Sequence, residues 1–508
     1  MKSSAREVFT ERLFGPLETA TGPAVVGDEV VNYPELLRRA ETLRRSLRAA
    51  GLRGGMRVGI CLDPSAEYVI AISAVLQAGS TALMLSPSWT EREVGRCLEL
   101  IDPSFLLTNG TSPQSIPPRA VISTPLPGLS VLDCRRDDQE PSLPQDAVII
   151  FTSGTSGVPK GVVLTGDGLF SNVSAVREYL EVSESDSSPL FTPTCYAYAV
   201  SQVLVQLLAG AAICPIKHGL RYPILILEAI ERFRLRGMSA NPTSFKILLK
   251  TAEREKLDLS SLRYAMGGGQ FLARDVVDAM QRRFTNSRVV NQYGCTENSP
   301  RICYHWVRDN EQPLPGKSLP VGKAVRGTEL IVAGSDGVPV PHGEVGQVLV
   351  RGTSLMRGYW NMPAETEARF VKGWFQTGDL GILDPEGNLV LIGRLSDSIN
   401  VGNEKVHPGE IEGYIQELPS IQEAAVFGAS DPLFGEVVEA VVVPADGVPL
   451  DSGDATLQVR EHLKHMVSAY KIPRRVHIAS SLPRNLYGKL DRKRLQEWVA
   501  PGPRAHGV

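Results

Sequence analysis

Residues 149–161 read Ile-Ile-Phe-Thr-Ser-Gly-Thr-Ser-Gly-Val-Pro-Lys-Gly, an apolar run passing into a loop dense in hydroxyls and glycines that ends on a lysine. Glycines let backbone N–H groups approach an anion closely, hydroxyls donate to its oxygens, and the lysine adds charge. Thr152, Ser153, Gly154, Thr155, Ser156, Gly157 and Lys160 are therefore candidates for holding phosphate. The order is not that of the G-x-x-x-x-G-K-[ST] loop, because Pro159 stands where counting from Gly154 calls for the second glycine. A plain surface turn is the bland alternative, and it rarely shows this order of residues directly after a buried strand. Further along stand Gly267–Gly269, the run Asn291-Gln-Tyr-Gly-Cys-Thr-Glu297, Thr377-Gly-Asp379 with Gly393-Arg394, and Lys489 in Pro483-Arg-Asn-Leu-Tyr-Gly-Lys-Leu-Asp-Arg492. Each of these is ambiguous alone: a triple glycine marks a tight turn, an Asp after Gly sits in a turn, and a single lysine is solvated.

The elements that must carry these residues follow from periodicity. Tyr33–Ala50 has apolar residues at helical spacing and is stopped by Gly51. Arg57–Leu62 and Ser104–Thr108 read as buried strands, and Glu67–Gln77 and Thr90–Ile101 as helices. Strands alternating with helices predict a parallel or mixed sheet covered on both faces. Residues 111–147, rich in proline and polar groups, read as an irregular surface connection, and the alternation resumes from Ala147 to about Val290. After about Gly316, short strands (Thr328–Ile331, Gly346–Val350, Leu389–Ile392) separated by Gly, Pro and Asp turns predict a small β-rich subdomain. From about Asp397 the expectation is helix 409–417, strands near 422–428 and 437–443, and helix 455–468. The fold class expected is α/β: a large N-terminal domain (1–395) of two sheet-and-helix subdomains plus the β-rich one, then a small mobile α+β C-terminal domain (396–508).

Composition narrows the function. A chain of 508 residues is too long for one ordinary core, and 43% hydrophobic with 21% charged residues is ordinary for a soluble protein. A net charge of −3 offers no general attraction to nucleic acid or an anionic membrane, and the clusters Arg232/Arg234/Arg236 and Lys471/Arg474/Arg475 show no interleaving of aromatics on a clear groove pattern. The seven cysteines are scattered singly, without a zinc spacing or a disulfide framework. Met1–Arg12 is charged throughout, so no secretory signal is expected. Pro189–Ile216 carries no charge, but Pro193, Gly210, Pro215, Gln202 and Gln206 interrupt it. A buried helix (about 197–208) and a buried strand (211–216) account for it better than a membrane span. A cytoplasmic protein, monomeric or homodimeric, is expected.

Taken in order, the five motifs resemble those of the adenylate-forming superfamily: acyl- and aryl-CoA ligases, peptide-synthetase adenylation domains and firefly-type luciferases. The loop 152–161 matches that family's T-S-G-T-[ST]-G-x-P-K-G, which holds the β- and γ-phosphates of ATP. The resemblance implies that Tyr293 stacks on adenine, with Asn291 and Gly294 also among the cofactor-binding residues, that Thr296 contacts the α-phosphate and that Glu297 binds Mg²⁺. An aromatic face, a hydroxyl and a hard oxygen ligand suit a metal-bound nucleotide. It implies further that Gly267, Gly268 and Gly269 border adenine and acyl group, that Asp379 accepts the ribose hydroxyls with Arg394 nearby, and that Leu395–Glu412 opens with a hinge at Ser396 and Asp397. Lys489 would meet the carboxylate and the α-phosphate. Two anions converge there, and one cation at ~4 Å in an effective dielectric near 20 is worth about 4 kcal/mol. Lys489, Thr296 and Glu297 are the catalytic candidates.

The implied activity is ATP- and Mg²⁺-dependent conversion of a carboxylic acid to acyl-AMP, then transfer to CoA or to the phosphopantetheine of a separate carrier protein. Several departures bear on the details. Thr165-Gly-Asp-Gly168 replaces the common T-H-x-N, Ser396 replaces a hinge Asp or Lys, and Gly402-Asn403 replaces the Gly-Gly of many CoA ligases. No Asp or Glu occurs from 191 to 221, where amino-acid-activating relatives pair an α-ammonium, so an α-amino acid is not expected. Cys195, Tyr196, Tyr198, Asn241, Ser244, Phe245, Gly269 and Cys295 are candidates for an acid pocket suited to an aryl or short-to-medium acyl group. Asn403 and Gly166 leave open a nitrogen acceptor, an amine or nitrite. A non-catalytic nucleotide-binding paralogue is the rival from another class.

Overall fold

The computed structural model describes residues 5–109, 120–122, 124, 126–136, 139, 141–153, 159–313, 318–401, 404–431, 435–484 and 490–499. Helix starts are written in the sequence. Asn32 accepts from the backbone N–H of Glu35 at the head of Tyr33–Ala49, and Thr90 and Glu93 cap Glu91–Ile101 reciprocally. These helices cover an eight-stranded sheet whose centre (Phe105–Thr108, Arg57–Cys61, Thr81–Leu85, Asp146–Ser153) is parallel and buried on both faces. The strand Pro159–Thr165 returns antiparallel beside Asp146–Ser153, pairing Thr152 with Lys160.

A second, five-stranded sheet begins with three parallel strands, Gly237–Ala240, Tyr264–Gly268 and Arg288–Gly294, and turns antiparallel at Arg301–Trp306 and Lys323–Ala324. One face packs on the helices Pro223–Arg232, Pro242–Arg254 and Arg274–Arg283 through Met238, Ala265 and Val289. The other face meets the helices Gly166–Leu180 and Ala197–Ala209, as shown by Tyr179 stacked on Tyr304 at 4.0 Å. A small antiparallel sheet (Thr328–Ala333, Gly346–Gly352, Phe370–Val371, Trp374–Leu383, Leu389–Arg394) follows. The last sheet, built on the paired strands Ile421–Asp431 and Gly435–Pro444, has its own core around Val406, Ile411, Val438 and Val459. The α/β class and its arrangement of a large N-terminal part with a small C-terminal one are as expected.

One expectation changes, and one is met. The connection at 111–147 carries strands among its described residues: Ala120–Ile122 and Ser130–Asp133 extend the first sheet's edge, with Val131 and Leu132 buried. Their three- and four-residue length, flanked by prolines, leaves too little alternation to detect. The uncharged stretch at 189–216 is the buried helix Ala197–Ala209 and strand Ala212–Pro215, and no helix among the described residues is long and apolar enough to cross a membrane.

Candidate active site

Ala240, Gly268 and Gly294 close three parallel strands on the same side, the edge at which ligands bind in open α/β sheets. Gly267 and Gly268 end their strand and Gly269 turns away at φ +82°, a conformation that favours glycine. A Cβ on Gly268 would meet the Gln292 side chain of the neighbouring strand.

The strand Arg288–Gly294 delivers two further side chains. Tyr293 reaches Asp379, donating its hydroxyl to Oδ2 at 2.6 Å, while Arg394 Nε stands 3.2 Å from Oδ1. Asp379 and Arg394 are cross-strand partners in the small sheet, so sheet register itself makes this pair. Burial, then the Asp379 charge, pushes the Tyr293 phenol well above its ordinary pKa, and Asp379 holds the Arg394 guanidinium above its own. Asn291 faces elsewhere: its amide donates to the carbonyls of Leu319 and Pro320 at 3.2 and 2.8 Å, and its Oδ1 is buried without a donor.

Past Gly294 and Cys295, the short helical turn Thr296–Asn298 presents Glu297 toward the paired strands Asp146–Ser153 and Pro159–Thr165. Tyr359 joins the two. Its hydroxyl donates to Glu297 Oε1 at 3.0 Å, and its ring centre lies 5.1 Å from Lys160 Nζ. The backbone repeats the link, since Met356 donates to the Glu297 carbonyl and Trp360 to that of Gly161, both at 2.7 Å. Asp146, fully buried, anchors this segment through Arg357 at 2.8 Å. Sequence reasoning missed Tyr359; the aromatic pair after Gly358, in a stretch otherwise read as turns, was the available signal. Residues 154–158 of the loop and Lys489 lie outside the described residues, as do Gly402 and Asn403.

Among the described residues no three His, Cys, Asp or Glu converge on one point. Nucleotide-bound Mg²⁺ needs only one or two carboxylates, with phosphates and water completing its shell. Glu297 meets that demand.

The acid-pocket candidates divide. Tyr198 accepts hydrogen bonds from Ser239 and Gln292 and lies under the Arg301 guanidinium, 3.8 Å from ring centre. Tyr196 starts the same helix, and Cys195 is buried just before it. Asn241 and Ser244 serve a cap, Asn241 Oδ1 accepting from the Ser244 amide and hydroxyl. Phe245 is turned into the core against Phe284, away from Tyr198.

At the expected hinge, Ser396 Oγ donates to Asp397 Oδ1 at 3.0 Å, and Arg492 reaches Asp397 Oδ2 at 3.1 Å and Glu412 at 2.5 Å. The arginine of the Lys489 motif thus ties Asp397 to Glu412 on the helix Pro408–Ile415. The altered stretch Thr165-Gly-Asp-Gly168 has a packing origin. Thr165 caps the helix, while a Cβ on Gly166 would lie 2.7 Å from the Phe9 ring and one on Gly168 2.9 Å from the Thr353 carbonyl.

Comparison with known proteins places this geometry. The profile of the AMP-binding enzyme family matches residues 18–360, and that of the AMP-binding enzyme C-terminal domain matches 410–489. A feruloyl-CoA synthase of Amycolatopsis is 31% identical over 91% of this chain and 93% of its own length. ATP-bound MatB of Rhodopseudomonas palustris superposes with a TM-score of 0.81 at 26% identity, over 98% of this chain and 99% of that one. The amide bond synthetase McbA of Marinactinospora thermotolerans gives 0.83 at 25% identity, over 98% and 100%. The motifs recur in family order on the family's fold, and this chain belongs to the AMP-binding enzymes, the adenylate-forming superfamily.

Proposed function

We propose that this enzyme activates a carboxylic acid as its acyl-AMP and transfers the acyl group to the thiol of CoA or of a carrier protein's phosphopantetheine. The observation that carries the reading is the joining of three separate motifs at one strand edge: the Tyr293–Asp379–Arg394 cluster beside Glu297, Tyr359 and Lys160. Asp379 accepts the ribose hydroxyls, Tyr293 offers its ring to adenine, and Lys160 with the loop before it holds the terminal phosphates. Glu297 would hold Mg²⁺, which when bound neutralises phosphate charge. Thr296 contacts the α-phosphate, and Lys489 stabilises the charge that builds as the carboxylate attacks. The C-terminal domain then turns about Ser396–Asp397 so that one pocket serves both half-reactions. The domain boundary near 395 and a cytoplasmic setting belong to this reading.

The acid is aryl or short-to-medium acyl and not an α-amino acid. Arg301 beside Tyr198 would repel an ammonium. The likeness to an amide bond synthetase favours a second reading, in which an amine receives the acyl group. Incubation with ATP, an acid library and either CoA, holo-carrier protein or amine, followed by mass spectrometry, separates the two. A thioester as the dominant product supports the first reading; an amide formed faster than any thioester replaces it with the second.

A further inference from the structure

Arg301 begins the strand Arg301–Trp306, yet its side chain is 2% exposed. Nε donates to Gln292 Oε1 at 2.9 Å, the guanidinium covers the Tyr198 ring, and Nη1 is buried without an acceptor. Among the described residues no carboxylate forms an ion pair with it; its titratable neighbours are the phenols of Tyr179, Tyr198 and Tyr264. A buried guanidinium with an unused donor is costly unless something completes it. The strand does not need this side chain for its position. The Arg301 backbone N–H donates to Asn172 Oδ1, and its carbonyl accepts from Asn172 and Asn298, both at 2.8 Å.

Arg301 lines a small cavity, about 10 Å³, together with Ser188, Gln202, Gln206, Ser239 and Tyr264. The carbonyl oxygens of Gln202 and Gln206 are buried there without a donor. The orientation of Gln202 is set by its own amide, which donates to Pro189 O and Ser188 Oγ. The cavity therefore offers one unfilled donor and two unfilled acceptors around room for one oxygen. A hydroxyl satisfies both kinds at once, accepting from Nη1 and donating to a glutamine carbonyl. A carboxylate leaves the glutamine oxygens unmet and exceeds the volume. Tyr264 lies four residues before Gly268 on one strand, so this wall of the cavity stands about 13 Å back from the strand edge.

We propose that Arg301, with Gln202 and Gln206, is a specificity determinant that selects acids carrying a hydroxyl at the end remote from the reacting carboxylate. This rests on the acid-activating reading above. The test is acid-dependent ATP–pyrophosphate exchange with matched pairs: benzoate against meta- and para-hydroxybenzoate, cinnamate against its meta- and para-hydroxy forms, and terephthalate as the dicarboxylate. The wild-type enzyme is expected to favour a hydroxy acid over its parent in kcat/KM by on the order of 100-fold. Arg301→Met removes that preference while exchange with the parent acid persists, and Arg301→Lys, which keeps the charge, retains part of it. A wild-type preference unchanged in Arg301→Met, no preference between pair members, or a preference for terephthalate overturns the proposal. Absence of exchange with every acid instead overturns the acid-activating reading. In that case calorimetric binding of the same pairs to wild type and Arg301→Lys decides the Arg301 proposal: a hydroxyl-dependent affinity lowered by the substitution supports it, and equal affinities overturn it.

Discussion

The hydroxyl of Tyr293 donates to the carboxylate of Asp379 at 2.6 Å across 86 residues of sequence, while Arg394 takes the other carboxylate oxygen. The Asp379 carboxylate, the ribose acceptor of the proposed function, is thus oriented from two sides by residues of two different sheets. Asp379→Asn is expected to weaken AMP and ATP binding roughly 10- to 100-fold, the cost of a charge-assisted hydrogen bond. Tyr293→Phe keeps the ring and should cost less. Titration calorimetry with AMP reads both, and equal losses for the two variants would show that the phenol hydroxyl matters as much as the carboxylate.

Tyr359 connects Glu297 to Lys160. Tyr359→Phe leaves the ring beneath Lys160 and removes the hydrogen bond to Glu297, so pyrophosphate exchange is expected to fall roughly 10-fold and to need more Mg²⁺ for half-saturation. A Mg²⁺ titration of the exchange rate checks this. An unchanged Mg²⁺ requirement would mean that Tyr359 serves only the packing of its own segment.

Burial pushes the thiols of Cys61, Cys97, Cys195 and Cys214 up to about 12 and that of Cys134 to about 11, from 9.0. The folded chain keeps these protons where the unfolded chain loses them. Stability from this source is therefore complete below about pH 9 and drains as pH rises toward 12. Urea unfolding between pH 7.5 and 10.5, on the order of the thiol range, should show a steep alkaline decline. Cys214→Ala should lower stability at neutral pH yet flatten that slope by up to about 1.4 kcal/mol per pH unit. A parallel pH profile for the variant would remove Cys214 from the account.

Gly168 has no room for a side chain beside the Thr353 carbonyl. Gly168→Ala is expected to destabilise the fold by about 1–3 kcal/mol, as overpacking does. Gly128, which has nothing near its Cβ but lies at φ +74°, supplies a contrasting site where the cost comes from backbone strain alone. Thermal unfolding of the two alanine variants compares the causes, and a neutral Gly168→Ala would deny that packing accounts for the altered Thr165–Gly168 stretch.

Much of this was legible in the sequence because the informative residues are local. Helices with a cap and a stripe, such as Tyr33–Ala49, and buried strands such as Arg57–Cys61 carry their signal within a dozen residues. The loop 152–161, Tyr293, Glu297, Asp379 and Arg394 stand in short motifs whose order reveals the family. What escaped depends on contacts distant in sequence. Tyr359 acquires meaning only from Glu297, 62 residues away, and Arg301 only from the cavity beneath the helix Ala197–Ala209. Phe245 matched a pocket position by spacing, but its helix turns the ring toward Phe284. Ser130–Asp133 was read as loop because four residues between prolines show no clear alternation.

Acid-dependent exchange of labelled pyrophosphate into ATP measures acid activation by adenylation most directly. A library of aryl and short-to-medium acyl acids is expected to include at least one that drives exchange, while α-amino acids do not. Lys489→Ala should lower that rate by about 100- to 1000-fold, as loss of a strong transition-state donor does, with AMP binding retained. No exchange with any acid, under conditions where the protein binds ATP, would contradict the account and leave a nucleotide-binding protein without this chemistry.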